Sequence, residues 1–344
     1  FTIGFHDKNY DESRFADHIA NHLGAEHHTY MCNINDAKNI IPIIPDIWDE
    51  PISDKSIIPT YLVCQFASRH VKVAISADGG DELFAGYTKY LTAKTLFEKL
   101  EYVPFKETLF KVLNRSLPFL ARRFRFVRLS SLSYFVNILS AESPVGVMAK
   151  METIFTNSEL SFLLRPPFQA SDAVSISKTA IVRSEHASDL DYMMSRDYES
   201  YQMDNILVKV DRASMFNGLE AREPLLDYRL VEYMSEIESD QKLTRGRLKS
   251  ILKDISLRYF PVRLLDRPKK GFSLPINEWL KNDLSFLLDK YLNEKFLQEQ
   301  GIFNIDYISD LKGSFLAGNE SVFNKVWSLL VFQLWYEKWI ISSR

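Results

Sequence analysis

The sequence predicts a mixed α/β fold: a doubly wound parallel sheet over residues 1–90, continued by a mainly helical part over residues 91–344. Three observations predict it. Strand-like apolar runs alternate with helical patterns through the first 75 residues, the rhythm of a parallel sheet with helical crossovers. After Tyr90 the strand signals fade and helical periodicity takes over most of the remainder. A run of glycines and carboxylates begins where the third strand stops, and in open parallel sheets ligands bind beyond the carboxyl ends of the strands.

The elements follow in order. "FTIGF" reads as a short buried strand. "DESRFADHIANHLG" reads as a helix, with Phe15, Ile19 and Leu23 on one face and Gly24 as its stop. "EHHTYMC" is the second strand, and "NDAKNIIPIIPDIW" is a helix interrupted by Pro42 and Pro45. "DEPISDKSIIP" is a loop, "TYLVCQFASRH" a helix and "VKVAIS" the third strand. Near the C-terminus, Phe323, Trp327, Val331 and Trp335 recur every four residues, an aromatic stripe that reads as core packing. Residues 105 to 130 carry Lys106, Lys111, Arg115, Arg122, Arg123, Arg125 and Arg128 among Phe and Leu. That stretch reads as a helical face with solvated cations; a docking site for a partner or an acidic lipid face is the alternative.

Composition narrows the class. The chain has 344 residues, of which 46% are hydrophobic, enough for one large domain or two smaller ones. A net charge of -3 gives no global basic field for nucleic acid. Two cysteines, Cys32 and Cys64, fit a reduced cytoplasmic protein and offer no disulfide framework. No apolar run reaches the roughly 18 residues of a membrane helix.

Four clusters could carry chemistry. In "SADGGDE", three carboxylates crowd into five residues, which like charges resist unless something cationic is held. Gly79 and Gly80 allow a tight turn whose N–H groups can form an anion-binding nest. Carboxylates beside a phosphate site suggest magnesium between them, and the spacing does not fit a calcium loop. An acidic loop capping the next helix is the competing reading, with Glu82 stabilised in the first helical turn. The second cluster, Asn205 to Tyr233, interleaves Lys209, Asp211, Arg212, Glu220, Arg222 and Asp227 with apolar residues at helical spacing; an internal ion-pair network explains it equally well. The third is "RGRLKSILKDI", with Arg245, Arg247, Lys249 and Lys253. The fourth is the loop "RPKKGFSLPINEWL", with Arg267, Lys269 and Lys270. Basic groups there either neutralise a leaving polyphosphate or are solvated.

Taken together, the clusters resemble one family, the glutamine-dependent asparagine synthetases, in their C-terminal synthetase domain. The resemblance is carried in order by "SADGGDELFAGY", "LVKVDRASMFNGLEAREPLLDYRLVEY" and "RPKKGFSLPINEWL", with "DESRFADHIANHLGAEHH" and "WDEPISDKSIIPTYL" before them. It implies a sheet of the adenine-nucleotide α-hydrolase (ATP pyrophosphatase) type. It also implies that ATP adenylates the side-chain carboxylate of aspartate, and that ammonia then attacks β-aspartyl-AMP to give asparagine and AMP. The ammonia would come from glutamine, hydrolysed by a separate glutaminase domain. Carried over residue by residue, Ile3 is an adenine contact, and Ser76, Ala77 and Gly79 contact the nucleotide. Asp78 is tied to forming and consuming the acyl-adenylate, Asp81 is the magnesium-side carboxylate, and Lys249 neutralises the phosphates. A homodimer of the full-length protein is one arrangement open to it.

There are departures. Ala77 stands where the family has glycine, which restricts how closely the backbone approaches a nucleotide. Glu223 stands where it has valine, placing beside Arg222 an extra charge that could pair with it. The family's S-G-G-x-D-S pyrophosphate loop is not found in the 344 residues, and the glutaminase domain is expected to be missing as well. The expectation is therefore a synthetase domain lacking its first strand and pyrophosphate loop, which alone makes little or no asparagine. A related amidotransferase acting on another carboxylate, as in polysaccharide assembly, and a non-catalytic scaffold both remain open. Lys55, in the loop bordering the acceptor region, is the residue that points to the former.

Overall fold

A computed structural model describes residues 1–7, 10–123, 126–168, 187–265 and 274–342, with side chains described except at 118–131. Within it the chain divides into two compact units. One comprises residues 1–87, 197–279 and 334–344, the other residues 88–196 and 280–333.

The first unit carries the strands. β1 (Thr2–Phe5) pairs in parallel with β2 (Thr29–Cys32), with Ile3 opposite Tyr30. Between them runs the helix Ser13–Leu23, ended by Gly24 in the left-handed conformation at φ 65°, as the sequence requires of a C-terminal glycine. The proline-interrupted segment resolves into a helix Ile34–Ile40, a 3-10 turn Ile41–Ile43 and a short helix Ile44–Ile47, with Pro42 and Pro45 near the starts of the latter two. Proline is tolerated there because the first N–H groups of a helix lack an intrahelical partner anyway. The helix Ile57–Ala67 is buried along most of its length, which its nearly continuous apolar sequence dictates.

β3 (Val73–Ile75) pairs in parallel with β4 (Glu220–Arg222). β4 corrects the sequence reading, in which this stretch was helical. Its three residues alternate charge, alanine, charge, and their extended form comes from the ladder with β3 rather than from any local apolar pattern. Among the described residues the four strands form two separate two-stranded parallel sheets.

The second unit is helical. Tyr90, Ala93, Val147 and Met148 are buried between the helices Thr88–Glu101 and Pro144–Met151 and their neighbours. Glu152 accepts from both Lys89 and Arg196, each at 2.6 Å. The buried Glu159 closes a capping box with Thr156 and pairs with Lys325. Phe323, Trp327 and Val331 are buried as the aromatic stripe predicts, while the half-buried Trp335 donates its indole N–H to the Asp49 carbonyl within the first unit. Lys106, in the basic stretch, donates to the Ala141 carbonyl at 2.8 Å; the side chains of Arg122, Arg123, Arg125 and Arg128 lie outside those described. Among the described residues no helix is long and apolar enough to cross a membrane.

Candidate active site

The candidate site is built where β3 ends. The ladder continues one step past the strand, as the Ser76 N–H donates to the Arg222 carbonyl at 2.9 Å. The chain then turns. Ser76 Oγ donates to Asp78 Oδ2 at 2.7 Å, which fixes the Asp78 carboxylate beside the strand end. The Gly80 N–H closes the turn on the Ala77 carbonyl at 3.3 Å. Ala77 is exposed and is not among the residues of positive φ, so alanine carries no backbone cost there.

Two glycines are required by geometry. Gly79 has φ 88°, and a Cβ on it would lie 2.3 Å from Leu226 Cδ2. Gly86 closes the short helix Gly80–Leu83 by donating to the Asp81 carbonyl at 2.7 Å. A Cβ on Gly86 would sit 2.0 Å from Asp81 Oδ1 and 2.4 Å from Lys249 Cε.

Those two side chains are themselves in contact: Lys249 Nζ lies 3.0 Å from Asp81 Oδ1, with both side chains partly exposed. Lys249 arrives from the "TRGRLK" loop in the left-handed conformation, φ 54°, one residue before the helix Ser250–Ser256. A non-glycine residue there is strained, and the loop over-determines it. Ser250 Oγ donates to the Arg247 carbonyl at 2.6 Å and accepts from the Thr244 N–H at 3.1 Å. Of the four cations in this segment, Arg247 is spent on Asp254 and Lys249 reaches the site.

Behind the turn lies a buried polar group. Glu82 is 3% exposed and accepts from the Tyr87 hydroxyl at 2.5 Å. With its amide nitrogen turned inward, Gln202 donates to both Glu82 oxygens. Burial pushes the Glu82 carboxyl up; the Tyr87 hydrogen bond opposes this, and the charges of Asp81 and Asp197 add to it. The sequence reading of Glu82 as a first-turn residue stabilised by the helix dipole is corrected in one respect: it is in the first turn, but burial dominates its chemistry.

The "DEPISDKSIIP" loop is anchored to this unit by an ion pair between the buried Lys209 and the partly buried Asp54. Asp54 accepts from Lys209 and Asn205 at 3.0 Å each, and from the Ser56 N–H and Oγ at 2.8 Å each. Burial alone would raise the Asp54 carboxyl, but Lys209 and the Ser56 bonds outweigh it and hold it below the usual range. The pairings expected around Arg222 differ. It bonds the neighbouring Glu220 at 2.7 Å and not Glu223, and Arg212 bonds Asp49 at 3.1 Å. Glu223 instead feels Asp78 and Asp211; burial first, and then those charges, raise its carboxyl.

Ser76, Ala77, Asp78, Gly79, Asp81 and Lys249 are thus gathered by this turn and its lysine. Ile3 lies in the other strand pair, 3% exposed in β1. Arg267, Lys269 and Lys270 fall outside the described residues. The sequence reading missed Gly86, the burial of Glu82 and Asp54 as the partner of Lys209. Gly86 could have been suspected from "ELFAGY", where a glycine closes the short acidic segment.

A family model described as asparagine synthase matches residues 1–337. Asparagine synthetase (glutamine-hydrolyzing) 1 of Bacillus subtilis (strain 168) is 29% identical over 352 aligned residues, covering 98% of this chain and 51% of the relative. A putative asparagine synthetase (glutamine-hydrolyzing) of Mycobacterium tuberculosis is also 29% identical, over 100% of this chain and 51% of the relative. A third relative, putative asparagine synthetase (glutamine-hydrolyzing) 2 of Methanocaldococcus jannaschii, is 40% identical over 91 residues, 26% of this chain and 18% of its own length. The chain spans about half the length of the first two relatives.

Proposed function

Because the chain belongs to the asparagine synthase family, we propose that it forms the ATP-dependent synthetase part of an amide-forming ligase that draws its ammonia from glutamine. The single observation that carries the reading is the Asp81–Lys249 pair, set at the carboxyl end of β3 across from the Ser76–Asp78 turn.

In this reading the β-carboxylate of aspartate attacks the α-phosphorus of ATP, and pyrophosphate departs. Ammonia then attacks the acyl carbon of β-aspartyl-AMP, releasing AMP and leaving asparagine. Lys249 offsets the charge that builds on the departing phosphates. Ser76 holds the Asp78 carboxylate in place by its 2.7 Å hydrogen bond, and Asp78 takes the proton that the attacking nitrogen must shed. Ile3, Ser76, Ala77 and Gly79 border the nucleotide.

Magnesium is commonly held by one or two carboxylates together with substrate phosphates and water. Asp81, whose Oδ1 lies 3.0 Å from Lys249 Nζ, would offer one such carboxylate to a cation held chiefly by the nucleotide. Bound there, the cation supplies further neutralisation of phosphate charge.

The same reading joins the two strand pairs in one doubly wound sheet of the adenine-nucleotide α-hydrolase type, with the nucleotide on the α/β part. Val73 and Ile75 of β3 are 40% and 75% exposed, leaving apolar side chains for a further element to cover. The two free, buried cysteines fit a cytoplasmic setting.

The test is ATP–pyrophosphate exchange by the full-length protein with aspartate and other acids. Exchange that requires aspartate, with asparagine formed on adding ammonia, is expected. Exchange with a different acid and none with aspartate would sink the choice of substrate.

A further inference from the structure

Glu223 is the site's most unusual residue, a glutamate in "AREPLLD" where the resembling phrase has valine. Its position is fixed by backbone. β4 ends at Arg222, whose carbonyl accepts from the Ser76 N–H at 2.9 Å, so Glu223 stands one register step beyond Ile75, beside the Ser76–Asp78 turn. On its other side the Leu226 N–H donates to the Glu223 carbonyl at 2.9 Å, and Pro224 opens a 3-10 turn. The side chain is half-buried.

The Glu223 carboxyl feels the charges of two others, Asp78 from the loop after β3 and Asp211 from the helix Val208–Phe216. Cys64, from the helix Ile57–Ala67, also feels Asp78, and its thiol is pushed up to about 12 by burial and then by that charge. The cations nearby in the chain are engaged with other acids: Arg222 with Glu220, Arg212 with Asp49, Lys209 with Asp54 and Lys249 with Asp81.

Resting on the reading above, we propose that Glu223 serves the nitrogen side of amide formation: with Asp78, it stabilises the positive charge that develops on ammonia as the C–N bond forms. The nitrogen lone pair makes the C–N bond, and the carbonyl π pair moves to oxygen. As the carbonyl re-forms, the C–O bond to AMP breaks, and the proton shed by nitrogen passes to a carboxylate and then to solvent. A carboxylate-lined wall favours a nitrogen turning cationic and disfavours an acid acceptor, whose own charge it repels. Glu223 therefore acts after adenylation. Its carboxylate form is the useful one, and burial with two acidic neighbours delays its ionisation to higher pH.

The experiment compares the full-length protein with its E223Q and E223V variants. Two rates are measured across pH: aspartate-dependent ATP–pyrophosphate exchange, and asparagine formation from ammonium. Asparagine formation should fall about tenfold more than exchange in both variants. Compared at a fixed concentration of free ammonia, the part of the acid-side rise that the Glu223 carboxylate contributes should be missing from both variants. Exchange also reports folding, since an unfolded variant loses both rates. Equal loss of the two rates in E223Q and E223V, or no loss of asparagine formation, would overturn the inference. No exchange by the wild-type protein with any acid would overturn the ligase reading itself, and this inference with it.

Discussion

Lys249 Nζ sits 3.0 Å from Asp81 Oδ1, and the glycine beneath them, Gly86, has no room for a methyl group. An ion pair as open to solvent as this one contributes about 1 kcal/mol or less to stability. So small a contribution leaves charge placement, rather than folding, as the role of the pair. Lys249→Met and Asp81→Asn should each slow pyrophosphate exchange by about 100-fold or more while leaving the melting temperature close to that of the parent. Thermal unfolding measured beside the exchange assay decides the matter. A melting temperature that collapses together with activity would make the pair structural.

Gly86→Ala should reproduce much of that loss without touching either charge. The added Cβ would meet the Asp81 carboxylate at 2.0 Å and the lysine stem at 2.4 Å, so one of them must move. Overpacking of this kind costs about 1–3 kcal/mol. Gly313, inside the helix Ile305–Leu316, is the control, because nothing lies within 4 Å of a Cβ placed there. Gly313→Ala should stabilise by roughly 0.5–1 kcal/mol through helix propensity. Denaturant unfolding of both variants should show opposite signs; the same sign for both would contradict the steric account.

The contrast between these residues shows what the sequence could carry. Local relations were legible: the Gly24 stop, the proline-broken helix and the strand–helix alternation all depend on neighbours a few positions apart. Ser76 and Asp78 are two residues apart, so their hydrogen bond follows from the turn itself. Asp81 and Lys249 are distant in sequence, and no periodicity brings them together; their clusters were visible separately, and only the resemblance put both in one site. β4 was illegible because a three-residue strand has no period to read, and its form is imposed by β3. Glu223 was read as a partner for Arg222 by adjacency. Yet successive residues of an extended segment point to opposite faces, and the alternating neighbour Glu220 takes the arginine.

The Asp54–Lys209 pair makes a stability prediction with a pH signature. Lys209 is 6% exposed and Asp54 only partly so, so Lys209→Met strands a largely desolvated carboxylate and should cost about 3 kcal/mol. The folded protein holds the Asp54 carboxyl below its unfolded value. Its contribution is therefore complete above the unfolded value of about 3.9, and is lost as pH falls through the lower, folded one. Urea unfolding near neutrality and in acid should show the parent losing this advantage over Lys209→Met in acid. A difference that stays constant with pH would contradict the linkage.

Glu82 predicts the opposite slope at higher pH. Burial raises its carboxyl, so in the window between the unfolded and folded values the native state binds more protons than the unfolded one. Stability from this group is full below the unfolded value, near 4.3, and is lost as pH rises through the folded one. Glu82→Gln keeps an acceptor for the Tyr87 hydroxyl and removes the buried charge. The variant should therefore gain on the parent as pH rises, with the gap opening above the window in which Asp54 titrates. Denaturant unfolding of both proteins at about pH 5 and about pH 8 measures the gap. If Glu82→Gln proves less stable than the parent at the higher pH, the hydrogen bonds to the ionised carboxylate outweigh its desolvation, and burial is not what governs this group.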